Sequence, residues 1–488
     1  MNQIETPGMP PRNRRIFSNR TLNLRQVRAI GYDMDYTLIH YRVEEWEGRA
    51  YDYAKNKLAA LGWPVQSLAY ERDLMVRGLI LDIQLGNVLK VNSYGYVKQA
   101  FHGTQPLGFD VQRQTYTNVV VSLSDSRFVF LNTLFSLSEA CLYAQVVDLL
   151  DAQKLPQALG YADVYRRVRA SLDEAHLEGQ LKAEIVAAPE RFITLDPDMP
   201  LALLDQHNAG KKLLLITNSD WHYTRALMGY VFDPFLPAGM HWRDLFSLVL
   251  VSARKPEFFA QRAPLFDVVQ EDEGLLRPSI GGMQQGHIYW GGDATAVEQA
   301  LGLSGDDILY VGDHIYGDVN VSKKLLRWRT ALVLRELEED LAALEAFAPQ
   351  QKRLEELMGE KESLEHQICM ARLVVQRRRQ DYATTGLPEL PAAQQRLAGL
   401  RQTLEHLDER IRPLAEAASK LSNMHWGPLM RAGNDKSHLA RQVERYADIY
   451  MSRVSNFLHL SPYSYVRSMR TSLPHDPGMA FAPEPGPS

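Results

Sequence analysis

An apolar run that ends in two carboxylates one residue apart, Ile30-Gly31-Tyr32-Asp33-Met34-Asp35-Tyr36-Thr37-Leu38, constrains this chain more than any other stretch. It predicts a buried strand that delivers Asp33 and Asp35 to its carboxyl end, where open α/β sheets place their sites. Two acids this close repel each other, and a cation or a shared proton must relieve them. The same pattern also occurs as a plain turn or cap, so the rest of the chain has to decide.

Three further runs repeat the design. Lys212-Leu213-Leu214-Leu215-Ile216 opens onto Thr217-Asn218-Ser219-Asp220, whose small donors suit phosphate oxygens and also cap a helix starting near Trp221. Leu248-Val249-Leu250-Val251 opens onto Ser252-Ala253-Arg254-Lys255-Pro256, placing a point charge beside the same rim. Ile308-Leu309-Tyr310-Val311-Gly312 delivers Asp313-His314-Ile315-Tyr316-Gly317-Asp318, and Gly312 allows close backbone approach. The fold class expected is therefore α/β, with a Rossmann-like parallel-sheet core.

Four such rims meeting at one place define a reaction. Asp33 is placed as nucleophile on phosphorus, and Asp35 as the acid that protonates the leaving oxygen and then deprotonates water. Asp33, the backbone carbonyl of Asp35, and Asp313 form the expected Mg²⁺ set. Lys255, Thr217 and Asn218 face the transferring oxygens, and Asp318 positions Lys255 or a metal-bound water.

With 488 residues, 45% of them hydrophobic, the chain has material for about three domains. A net charge of -5 argues against a general nucleic-acid surface. Cys141 and Cys369 make no disulfide framework, and no stretch resembles a signal peptide or membrane span. A cytoplasmic protein that binds neither nucleic acid nor membrane is expected. Residues 1–16 are read as a flexible N-terminus, 17–60 and 190–340 as the core, and 61–189 as an inserted mixed α/β cap. Within the cap, hairpins are expected between Leu79 and Gly103, and helices over Leu134 to Ala152 and Tyr161 to Lys182. Leucines and other apolar residues at alternating spacings of three and four, on both sides of Thr385-Gly386-Leu387-Pro388, predict a helical hairpin over 341–425 that packs on the core or assembles an oligomer. Helices packing on the core are expected over 426–473, then a disordered tail over 474–488.

The four motifs resemble those of the haloacid-dehalogenase-like phosphatases. Asp-Met-Asp-Tyr-Thr, Gly-Asp-His-Ile-Tyr-Gly-Asp, Arg77-Gly78-Leu79 and Gln442 to Tyr450 are similar more narrowly to the cytosolic purine 5′-nucleotidases, which prefer IMP and GMP. The resemblance implies a nucleoside 5′-monophosphate substrate met by Phe135, Arg169, Asp173, His176 and Lys182, with Thr217, Asn218 and Ser219 at its phosphate. Leu177 stands where the animal enzymes carry an aromatic residue, which bears on base preference. It also implies a purine nucleotide effector at Asn132, Tyr316, Lys324, Gln442, Arg445 and Tyr446, residues that would equally make a packing seam, and a homo-oligomer, dimer or tetramer. The other functions open to such a chain are nucleotide-binding regulation on a phosphatase scaffold and hydrolysis of another small phosphate ester.

Overall fold

Ala29–Tyr32 is buried along its whole length near the middle of a ten-stranded sheet. The computed structural model describes residues 10–469, apart from 178 and the side chains of 175–177. The sheet order is Ile16–Ser18, Ile449–Met451, Arg329–Val333, Ile308–Gly312, Ala29–Tyr32, Lys212–Ile216, Phe246–Val251, Ile288–Gly291, Leu265–Gln270 and Leu275–Pro278. Neighbours from Ile449–Met451 to Ile288–Gly291 run parallel, and antiparallel pairing is confined to the ends. Parallel strands are covered on both faces, which is why they read as unbroken apolar runs. Leu213 to Ile216 and Leu248 to Val251 are all wholly buried. One face packs Leu214, Leu250 and Tyr310 against Phe258, Phe259, Val297 and Trp328.

Chain order reverses at Ala29–Tyr32. Lys212–Ile216 joins it on one side and Ile308–Gly312 on the other, and such a switch point leaves a crevice beyond the carboxyl ends of the strands. Between the first two of these strands the chain inserts a second, antiparallel sheet. Its order is Gln105–Pro106, Val97–His102, Asn87–Val91, Ile80–Asp82 and Phe128–Phe130, followed by the largely buried helix Leu137–Asp151. The helix expected from Tyr161 to Lys182 is two: Tyr161–Leu177 and Gln180–Ala187, with Gly179 between them at φ 71°, a left-handed conformation that only glycine adopts without cost.

Both ends of the chain differ from the sequence expectation. Of the N-terminal segment read as flexible, residues 1–9 lie outside the described residues, but Arg12–Arg14 is a 3₁₀ turn and Ile16–Ser18 forms the sheet edge. Among its described residues, the 426–473 segment read as helices holds one α-helix, His438–Tyr446, and then a strand, Ile449–Met451, inserted between the edge strand and Arg329–Val333. Strand pairing outweighs local pattern in so short a segment. The tail expected over 474–488 lies outside the described residues.

The described chain divides into two compact units, one reaching Glu339 and resuming at Leu429–Met469, the other Asp340–Pro428. In the second, helices Ala348–Arg379 and Leu390–Ser419 form a hairpin. Leu357, Leu364, Ile368, Ala371 and Val375 pack against Ala393, Leu397, Leu407 and Ile411, and Lys361, which interrupts the apolar rhythm, pairs with Asp408 at 2.6 Å. Among the described residues no helix is long and apolar enough to cross a membrane.

Candidate active site

Strand ends bring the rim residues together. Lys255 Nζ lies 2.7 Å from Asp33 Oδ1 and 2.8 Å from Asp318 Oδ1, and donates to the Tyr310 hydroxyl at 3.0 Å. Its loop is tight: Ser252 and Arg254 both sit in the left-handed region, at φ 48° and 60°, strain of the kind functional loops hold. Asn218 fixes this loop from the neighbouring strand. Its Oδ1 accepts from the Lys255 backbone N–H at 2.6 Å and its Nδ2 donates to the Lys255 carbonyl at 3.1 Å. Asn218 thus braces the lysine through its backbone. Gly312 has no room for a side chain, because a Cβ there would overlap the Asp318 carboxylate.

The cluster carries excess negative charge. Burial, opposed by Lys255 but reinforced by Asp318, Asp313 and Asp35, holds the Asp33 carboxyl well above its ordinary range. Burial and the neighbouring Asp318 push Asp313 up to about 7, against the pull of Arg77 and Lys255. Burial alone would lower Lys255, but Asp318 and Asp33 outweigh it and raise it. Oxygens of Asp33, Asp313 and Asp318 lie within 4.8 Å of one another, all buried. Three hard oxygen donors around unrelieved charge fit a divalent cation such as Mg²⁺, Ca²⁺ or Mn²⁺. The acid that completes this set is Asp318, while the Asp35 side chain turns elsewhere.

Asp35 Oδ1 accepts from the Tyr41 hydroxyl at 2.6 Å, and Oδ2 from the Ser219 hydroxyl at 2.7 Å; Tyr41 and Tyr223 hydroxyls are 2.8 Å apart. The carboxylate is held from both sides. Beside it lies a cavity of about 230 Å³ lined by Asp35, Trp46, Phe135, Lys182, Ser219 and Tyr223, among others. Lys182 reaches Ser219 Oγ at 3.3 Å and lies 4.8 Å from the centroid of the Tyr223 ring. Thr217 is wholly buried, and its Oγ1 accepts from the Ser219 N–H at 3.0 Å.

Phe135 packs edge-on against Tyr36 and Trp46, at 4.6 and 4.7 Å between centroids, and also lines a second cavity of about 440 Å³ with Asn132, Glu139, Arg169, Asp173 and His314. Arg169 pairs with Glu139 at 2.8 Å and Asp173 at 3.2 Å. The expected pocket residues Phe135, Arg169, Asp173 and Lys182 therefore line two cavities sharing Phe135. The side chains of His176 and Leu177 lie outside the described residues.

Four of the expected effector residues gather around one aromatic ring. Lys324 and Arg445 stand 5.1 and 5.3 Å from the Tyr446 ring centroid, and Tyr316 lies 6.4 Å from it. Gln442 instead meets His438 at 2.8 Å, and Asn132 lines the larger cavity. Sequence reasoning missed Tyr41, Trp46, Glu139, Thr133, Tyr223 and Tyr310, and singled out Arg77 without a role. None stands at a strand-end motif that would mark it, Tyr310 lying within its strand; only the fold brings them to the site.

A model of the 5′ nucleotidase family matches residues 16–478. The chain is 24% identical over 478 residues to a 5′-nucleotidase domain-containing protein of Dictyostelium discoideum, covering 96% of this chain and 76% of that one.

Proposed function

Since the chain belongs to the 5′ nucleotidase family and is a 5′-nucleotidase hydrolase of nucleoside monophosphates, we propose that its substrates are purine 5′-monophosphates, IMP, GMP and their deoxy forms foremost, cleaved with Mg²⁺ through an aspartyl-phosphate on Asp33. The observation that carries this reading is the buried Asp33–Lys255–Asp318 cluster beside an Asp35 held by Tyr41 and Ser219.

In the first step an Asp33 oxygen bonds to phosphorus as the bond to the 5′ oxygen breaks, and Asp35 gives that oxygen its proton. In the second, Asp35 takes a proton from water as the water oxygen bonds to phosphorus and Asp33 departs as carboxylate, releasing phosphate. Lys255 offers positive charge to the transferring oxygens, and the Ser219 and Thr217 segment offers hydrogen bonds. Mg²⁺, held by Asp33 and Asp313 with Asp318 beside them, would offset the repulsion between an anionic nucleophile and an anionic ester. Phe135 presents its face to the base, and Arg169, ordered by Glu139 and Asp173, meets the polar edge.

The same reading takes in a purine nucleotide effector on the Tyr446 face, supported by its two flanking cations, together with a cytoplasmic homo-oligomer. Phosphate release from a panel of purine and pyrimidine 5′-monophosphates, with Mg²⁺ or chelator, tests the core of it. Turnover of IMP and GMP that needs both metal and Asp33, lost in Asp33→Asn with folding intact, is expected. Hydrolysis of simple phosphate esters but of no nucleotide would refute the substrate assignment.

A further inference from the structure

Asp313 directly follows the central strand Ile308–Gly312, yet two of the groups that orient it come from the segments that continue two strands of the inserted antiparallel sheet. Thr133 Oγ1 donates to Asp313 Oδ2 at 3.1 Å, and Arg77 Nη1 donates to the Asp313 carbonyl at 3.1 Å while standing 4.0 Å from the same Oδ2. The rest of the Arg77 fork is spent on Glu336, through Nε at 2.8 Å and through Nη2. This guanidinium is wholly buried. Among the described residues no donor reaches Asp313 Oδ1, so Oδ1 is the oxygen left for a cation.

The inserted sheet is built to deliver these two groups. Ile80–Asp82 and Phe128–Phe130 pair in antiparallel register, and the pairing continues outward through Leu131. There the Gly78 N–H donates to the Leu131 carbonyl at 2.7 Å, while the Leu131 N–H donates to the Leu79 carbonyl at 2.9 Å, so two residues oppose one. Such a bulge re-aims the side chain that leaves it. Gly78 adopts φ 94°, and a Cβ there would come within 2.8 Å of Leu439 Cβ, so the bulge requires glycine twice over. Arg77 leaves the ladder at this bulge, Thr133 leaves the partner strand two residues past Leu131, and both end on Asp313.

We propose that Arg77 and Thr133 are positioning residues of the metal site, contributed by the inserted sheet, and that cation affinity depends on this sheet being seated on Asp313. The inference rests on the reading of Asp33 and Asp313 as metal ligands. Partners that orient a ligating carboxylate typically change metal affinity by about 10- to 100-fold when removed. Thr133→Val removes one hydroxyl at nearly constant volume. Arg77→Lys keeps the charge but cannot hold Glu336 bidentately and reach the Asp313 carbonyl together.

The test is calorimetric titration of the full chain with Mn²⁺ and with Mg²⁺, without nucleotide. Thr133→Val and Arg77→Lys should each bind about 10- to 100-fold more weakly, Thr133→Ser should stay near wild type, and Thr133→Val should unfold at the wild-type temperature in chelator. If both weakened variants bind within about twofold of wild type while Asp313→Asn does not bind, the positioning role is wrong and the ligand assignment stands. If Asp313→Asn binds as wild type does, the ligand assignment fails and the inference with it.

Discussion

Replacing Lys255 by methionine removes the cation between Asp33 and Asp318 while nearly keeping its volume, and three buried carboxylates then face one another. Removing one partner from a buried ion pair costs about 3–5 kcal/mol, because the charge left behind has neither water nor a counter-ion. The size of the loss must depend on pH. Asp33 already has a raised folded value, so the folded state holds a proton that the unfolded chain releases, and stability falls as pH rises between the unfolded value and the folded one. Without Lys255, which opposes that shift, the folded value moves higher and the falling window widens upward. The gap between wild type and Lys255→Met should therefore approach about 3–5 kcal/mol above the folded value of Asp33 and shrink as pH falls toward its unfolded value. Divalent cation at a hundred times its dissociation constant should raise the stability of the variant by about 2.7 kcal/mol over its metal-free form. Urea unfolding at several pH values, with and without Mg²⁺, reads all three effects. Equal stability of the two proteins at the alkaline end of the range, or a gap that does not change with pH, would refute the charge-compensation account of this cluster.

Other outcomes follow from the same geometry. Tyr41→Phe deletes one of the two hydroxyls holding Asp35, and steady-state kinetics should show kcat lowered about 10- to 100-fold, as expected for a hydrogen bond to a charged group worth about 1.5–3 kcal/mol. Glu47 is wholly buried, accepts from the Ser138 N–H at 2.9 Å, and is pushed up to about 8 by burial. The folded state keeps its proton, so Glu47 makes stability fall as pH rises from about 4.5 toward 8; Glu47→Gln should flatten that slope in urea unfolding. Gly312→Ala would drive a methyl group into the Asp318 carboxylate, costing about 1–3 kcal/mol of stability and displacing the partner of Lys255, so turnover should fall more than nucleotide binding does.

Much of this molecule is carried by local pattern. A parallel strand buried on both faces must be continuously apolar, and a rim residue must follow it directly. For those reasons Ala29–Tyr32, Lys212–Ile216, Phe246–Val251 and Ile308–Gly312 could be read from the chain, together with the residues at their ends. The helical hairpin was legible because a seam between two long helices repeats every three or four residues. What lacked such a period was not legible. Ile449–Met451 is three residues long, and only its pairing with Arg329–Val333 on one side and Ile16–Ser18 on the other makes it a strand. Tyr41 and Tyr223 are 182 positions apart, and Arg77 and Asp313 are 236 apart. Their meeting depends on how the inserted segment returns over the strand ends, and nothing at either position announces the other. The sequence by itself determined the central strands and the charged groups they deliver, because burial and hydrogen bonding act on neighbours along the chain. Only the tertiary structure decided which groups hold those charges in place, because a buried charge draws its partners from whatever the fold brings within about 3 Å.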